Sequence, residues 1–258
     1  MTTLQRRDRV RVHFDDSAKA GRWQDHYDPE NPYSQSFLER RRKVIKLLGD
    51  MREKKILDLG CGSGDLLEKL QGQEIEYHGI DLSPSMVEEA RSRMQALRFS
   101  SESRIQVGDV EALPYPEAYF DAVVGLGLLE YLDSPERTLR EALRVAKPRA
   151  RLVFNVPKKF CLDDLIIRAT VPLRALFRRR LNHPPDLKRE KYTVHQFRSL
   201  FTDLGCEIAA EENYGKLILP YPMTRVWPHL AFRVAQWAEE KRGLGFFATS
   251  HLLACRKP

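Results

Sequence analysis

From residue 54 to residue 157 short β-rich runs alternate with helical periodicity, and this alternation restricts the folds open to the chain more than any other feature. "KKILDLG" reads as a buried strand, "DLLEKLQG" as a short helix ending at Gly72, and "EIEYHGIDL" as a second strand. "SPSMVEEARSRMQAL" opens with Ser83 as N-cap and Pro84 at the first helical position, where a missing N–H costs nothing. "RIQVGDV" is a third strand, "FDAVVGLGLLEYL" a fourth, "SPERTLREALRVAKP" a helix and "RARLVFNVP" a fifth strand. The economical solution is an α/β, doubly wound, mostly parallel sheet with helices on both faces. Ligands of such sheets bind at the carboxyl ends of the strands. Asp58 and its glycines close the first strand, Asp81 the second, Asp109 the third, and Gly125 and Gly127 the fourth. These strand ends describe one crevice.

In "ILDLGCGSGDLL" the three alternate glycines, Gly60, Gly62 and Gly64, permit positive φ and close approach of backbone to a ligand. The helix that follows offers free N–H groups to an anion. A nicotinamide dinucleotide fits poorly, because its fingerprint places the third glycine one residue later. Asp65 at the start of the helix would also repel a pyrophosphate, so a singly charged carboxylate suits the turn better.

These stretches together resemble the class I S-adenosylmethionine-dependent methyltransferases. The resemblance covers roughly residues 54 to 157 and rests on "ILDLGCGSG", "GIDLSPSMVEEAR", "VGDVEALPYPEAYFDAVV", "LLEYL" and "EALRVAKPRARLVFNVP", in that family's order and spacing. It implies S-adenosyl-L-methionine as cofactor. Gly60, Gly62 and Gly64 would form the turn against its methionyl part, and Asp58 would hold the turn and the methionyl ammonium. Asp81 would take the ribose hydroxyls, Leu82 would pack beside ribose and adenine, and Asp109 would accept from the adenine amine near Val110. Gly125 and Leu126 would face the methionyl end. The family commonly has "KPGG" before its fifth strand; this chain has "KPRA", so the turn must take another geometry or place Arg149 in solvent.

The family plan is a seven-stranded sheet ending in an antiparallel pair, with "CEIAAEENY" as sixth strand and "FFATSHLLACRK" as seventh. "YTVHQFRSLFTDLG" begins with Thr193 and Gln196 at capping-box spacing and ends at Gly205. Residues 1–50 are expected to form a helical lid, and 51–258 the methyltransferase domain with helical insertions at about 158–192 and 219–242. "FDDSAKAGRWQDHYD" resembles the N-terminal segment of the quinone-pathway branch, which implies a cofactor-lid contact for Tyr27.

Methyl transfer needs a general base only where the acceptor must lose a proton. Catalytic candidates therefore come from position: His26, Tyr27, Tyr33, Glu130, Tyr131 and His183, with Tyr131 and His183 carried forward and His195 expected to be structural. In the first insertion an apolar stripe from Leu162 to Phe177 is flanked by arginines, with Pro172 as a break. This segment, 162–181, either packs over the sheet as a lid or lies on an anionic membrane surface, and both can hold. Tyr221, Trp227, Phe232 and Trp237 in the second insertion favour an aromatic or lipid-like small-molecule acceptor.

With 42% hydrophobic residues in 258, the chain can bury one large α/β core. It has no apolar run long enough to span a bilayer and opens without a signal-peptide core, which reads as cytoplasmic, with peripheral membrane contact left open. The four cysteines lack metal-ligand spacing. A net charge of +7 is compatible with nucleic acid, so an RNA methyltransferase is an alternative, but "GLGLLEYL" lacks the Asn or Asp, two prolines and aromatic of base amino-methylating enzymes. A non-catalytic scaffold that keeps the cofactor fold is a second alternative.

Overall fold

The computed structural model describes residues 3–21, 23, 34–162, 165, 187, 189–216 and 226–258. Two helices, α1 (Thr3–Lys19) and α2 (Gln35–Leu48), precede the first strand, β1 (Lys55–Leu59). There follow α3 (Leu67–Leu70), β2 (Glu76–Asp81), α4 (Pro84–Ala96), β3 (Arg104–Val107), β4 (Phe120–Gly125), α5 (Pro135–Val145) and β5 (Ala146–Pro157). The chain ends with α6 (Val194–Thr202), β6 (Glu207–Lys216), α7 (Pro228–Glu239), a 3-10 turn (Arg242–Phe247) and β7 (Ala248–Arg256).

The seven strands form one sheet in the order β3-β2-β1-β4-β5-β7-β6. β1 pairs in parallel with both β2 and β4, so strand order reverses beside it. β7 runs antiparallel to both β5 and β6. The fold is the expected seven-stranded, mostly parallel methyltransferase-type sheet with its C-terminal antiparallel strands.

Neighbouring residues of a strand point to opposite faces, and the core divides accordingly. Leu57, Val123, Leu152 and Phe154 meet Leu139 and Ala142 of α5 and Phe197 and Phe201 of α6. On the other face Ile56, Tyr77, Val124 and Val153 meet Val44 and Leu48 of α2 and Val87 and Ala90 of α4. Burial on both sides explains why these strands read as nearly continuous apolar runs.

The expected caps form. Ser83 accepts from the Met86 N–H at 3.2 Å, and Thr193 and Gln196 close a reciprocal capping box. One local reading differs, and one of the alternatives left open at "KPRA" holds. The fourth strand stops at Gly125 rather than running through "GLLEYL": Gly127 takes φ 64°, its N–H donates to Asn155 Oδ1 at 2.8 Å, and Leu129–Tyr131 forms a 3-10 turn. At "KPRA" the turn keeps a left-handed residue without a glycine, since Arg149 has φ 63° with its side chain in solvent.

Candidate active site

The polar strand ends meet at the carboxyl edge of the sheet. Asp58, at the end of β1, is 3% exposed and accepts a hydrogen bond from the Tyr77 hydroxyl at 2.7 Å. Burial, reinforced by the charges of Asp65 and Asp81 and opposed by the Tyr77 hydrogen bond and Arg40, pushes its carboxyl up to about 7. Gly60, Gly62 and Gly64 have φ of 67°, 52° and 80°, the left-handed values the sequence required. The turn is pinned to β2, with the N–H groups of Gly60 and Cys61 donating to the Ile80 carbonyl at 2.7 and 3.1 Å. A Cβ on Gly64 would lie 2.6 Å from Leu67, so the cradle admits no side chain there.

Asp81 closes β2 half-buried. Its Oδ2 accepts from the Gly62 N–H at 2.9 Å and its Oδ1 from the Ser83 N–H at 2.8 Å. Burial raises its carboxyl above the ordinary range. Each oxygen keeps a lone pair for a further donor. Leu82 is half-buried next to it, and Val110 is buried after β3. Asp109 accepts from the Glu111 N–H at 2.9 Å and pairs through Oδ2 with Arg7 Nη1 at 2.7 Å. Gly125 closes β4 against the Phe154 ring, which a Cβ would approach to 2.3 Å. Leu126 lines the same pocket as Asp58, Gly60 and Gly62.

Three further contributors were not legible as site residues in the sequence. Arg40 and Arg41 of α2 line that pocket, whereas "ERRRKVIK" reads simply as a run of charge. Their signal is helical register: both fall on the face of α2 that carries Val44 and Leu48 into the core. Arg41 pairs with Glu68 at 3.1 Å, and the Arg40 guanidinium lies 4.9 Å from the Phe37 ring centroid. Trp23 also lines the pocket and donates through Nε1 to Asp65 Oδ2 at 3.1 Å. α1 reaches over two of the strand ends. Arg7 contacts Asp109 and Glu111, and Asp15 Oδ1 takes the Ser83 hydroxyl at 2.5 Å and the Ser85 N–H at 3.1 Å.

On the β4–β5 side, Glu130 is buried, and its Oε2 has no hydrogen-bond partner among the described residues. Burial raises its carboxyl. A Cβ on Gly127 would lie 3.0 Å from Arg40 Nη1 and 3.9 Å from Glu130 Oε1, so this acid and this base share one wall. Tyr131 stacks edge-on against Phe14 at 5.4 Å, and burial with the Glu130 charge pushes its phenol up to about 12. The phenol therefore carries its proton at neutral pH. His195 is exposed on α6, away from the crevice. Trp227 and Trp237 are exposed rather than lining the crevice. Tyr27, His183, His26, Tyr33 and Tyr221 lie outside the described residues, as does nearly all of 162–181.

Residues 57–154 match the methyltransferase domain family. A demethylmenaquinone methyltransferase of Thermotoga maritima is 35% identical over 116 residues, covering 44% of this chain and 48% of the relative. A ubiquinone biosynthesis O-methyltransferase of Alkalilimnicola ehrlichii is 32% identical over 139 residues, covering 54% and 56%. The chain thus spans about half the length of these curated relatives. The magnesium protoporphyrin IX methyltransferase of Synechocystis PCC 6803, solved with bound SAH, shares the fold at a TM-score of 0.65 and 18% identity, covering 98% of this chain and 100% of that one. Residues 57–154 of this chain thus match a methyltransferase domain, on the fold that the Synechocystis enzyme shares.

Proposed function

We propose that the chain transfers a methyl group from S-adenosyl-L-methionine to a small lipophilic or aromatic acceptor. The observation that carries this is the pocket at the glycine turn, which presents a buried acid, Asp58, and two guanidinium groups, Arg40 and Arg41, around the backbone of Gly60 and Gly62. That set matches the ammonium and carboxylate of an amino-acid moiety, and the rest of the crevice continues it. Asp81, with both oxygens fixed by backbone N–H groups, is oriented to accept two ribose hydroxyls. Leu82 and Val110 supply the apolar flanks of a purine site, and Asp109 its acceptor once Arg7 yields an oxygen. Gly125 and Leu126 carry the pocket toward the acceptor side.

When bound, the cofactor supplies a methyl group made electrophilic by its sulfonium. The chain's own part is to hold an acceptor in line and exclude water. Phe14 and Phe37, in edge contact with Trp23 at 5.5 and 6.2 Å, place an aromatic cover beside the pocket and give α1 the role of a lid. Where the acceptor loses a proton, Glu130 receives it, since burial raises its carboxyl, Oε2 has no hydrogen-bond partner among the described residues, and Oε1 borders the Gly127 wall beside Arg40. The quinone-pathway relatives support a ring-bearing, apolar acceptor.

The test is calorimetric titration with S-adenosylmethionine and S-adenosylhomocysteine, with Asp81→Ala alongside. Binding of both ligands, weakened at least about tenfold by the substitution, is expected from the loss of hydrogen bonds to a charged acceptor. Binding of neither by the unaltered chain would return the fold to the role of scaffold.

A further inference from the structure

Seven of the nine exposed large hydrophobic side chains among the described residues lie in two crossovers: Phe160 and Leu165 after β5, and five more between β6 and β7. β6 is parallel to β5, because both run antiparallel to β7. Both crossovers therefore leave the sheet at the end that carries the glycine turn.

Helix α7, in the second crossover, places its bulk on the wrong side for a helix that only packs on its own sheet. Its buried apolar positions are the small ones, Ala231, Ala235 and Ala238, while Trp227, Leu230 and Trp237 stand 53%, 51% and 54% exposed. At the helical rotation per residue, Leu230, Arg233 and Trp237 fall within an arc of about 60°, with Trp227 at the N-cap and Lys241 just past the C-cap. Lys241 Nζ lies 5.6 Å from the Trp237 ring centroid. The acid that α7 buries, Glu239, is already held by the Lys216 N–H at 2.7 Å and by Lys43 at 3.5 Å, which leaves Glu240 as the acid at the edge of the exposed face.

We propose that this tryptophan-bearing, basic face of α7, together with Phe246 of the adjoining turn, docks on an anionic lipid surface. Indole rings combine an apolar body with one polar N–H and suit the headgroup boundary, where cations meet lipid phosphate. The chain's net charge of +7 draws it to the same surface. A second copy fits worse, because a two-fold contact through this patch brings two Arg233 and two Lys241 side chains into one interface. Glu239 ties α7 to the last residue of β6, so docking here holds the carboxyl end of the sheet near the bilayer and an apolar acceptor dissolved in it. That consequence rests on the proposed function, whereas the docking itself does not.

Cosedimentation with vesicles of about three parts phosphatidylcholine to one part phosphatidylglycerol tests this at low salt. The chain is expected to pellet with these vesicles and stay in solution with pure phosphatidylcholine. The double variant Trp227→Ser/Trp237→Ser is expected to lose about tenfold or more in partitioning, and Arg233→Gln or Lys241→Gln about fivefold each. S-adenosylhomocysteine titration of each variant keeps folding in view and separates the two readings: vesicle binding without nucleoside binding would sink the enzyme proposal and leave this one standing. Three results overturn the docking: a chain that stays in the supernatant with anionic vesicles, a double variant that pellets like the parent, or a solution oligomer that the double variant dissolves.

Discussion

Gly125 illustrates how narrowly single residues are fixed at the crevice. Its φ is ordinary, and what excludes a side chain is the Phe154 ring, 2.3 Å from any Cβ placed there. Gly125→Ala is expected to destabilise by about 1–3 kcal/mol in denaturant unfolding, and Phe154→Leu combined with it should cost less than the sum of the two. Asp58 gives a pH signature. The folded chain keeps its proton up to pH about 7, whereas the unfolded chain releases it near the usual carboxylate value of about 4, so between those limits the folded state binds more protons and Asp58 makes stability fall as pH rises. Asp58→Asn should unfold with a flatter pH dependence than the parent over that interval, becoming relatively more stable toward pH 7. An unchanged slope would mean that Asp58 is ionised in the folded chain. Asp58, the three glycines and Asp81 were legible because their spacing is local. Arg40 and Arg41 were not, because a charged run states nothing about which side of a helix meets a pocket.

At the scale of elements, α1 and α4 show one helix capping another. Ser83 supplies the local cap of α4, and Asp15 of α1 adds a carboxylate on the Ser83 hydroxyl and the Ser85 N–H. Burial works against ionisation of Asp15, but the hydrogen bonds from Ser83 and Ser85 outweigh it and hold the carboxyl below its usual range. Asp15→Ala removes one cap-type interaction of about 1 kcal/mol, so amide exchange in α1 should quicken by about fivefold while exchange in β1 and β4 stays unchanged. Equal rates in α1 would show that Asp15 does not hold that helix down. The Ser83 cap could be read from "SPSM" and the capping box from "TVHQ", since each partner lies within one turn. Asp15 is separated from Ser83 by 68 residues, so no local pattern connects them.

Across the whole molecule, both core clusters draw their buried residues from Val44 onward. A chain lacking everything before residue 34 should keep the sheet and unfold cooperatively, but bind S-adenosylhomocysteine at least about tenfold more weakly, because Trp23, Phe14 and the α1 contacts leave with the deleted part. Loss of cooperative unfolding in that chain would show α1 to be part of the core. By itself the sequence determined the strand and helix order, the parallel sheet and the acid-and-glycine crevice, because hydrophobic period, caps and glycine spacing act over a few residues, while the antiparallel end followed only from the family resemblance. It did not determine where β4 stops, that Arg149 can hold a left-handed turn without glycine, that Arg7 sits on Asp109, or that α7 turns its tryptophans outward. Those were decided by tertiary structure, since each depends on which distant surface is left to pack against, and that is settled only when the elements meet.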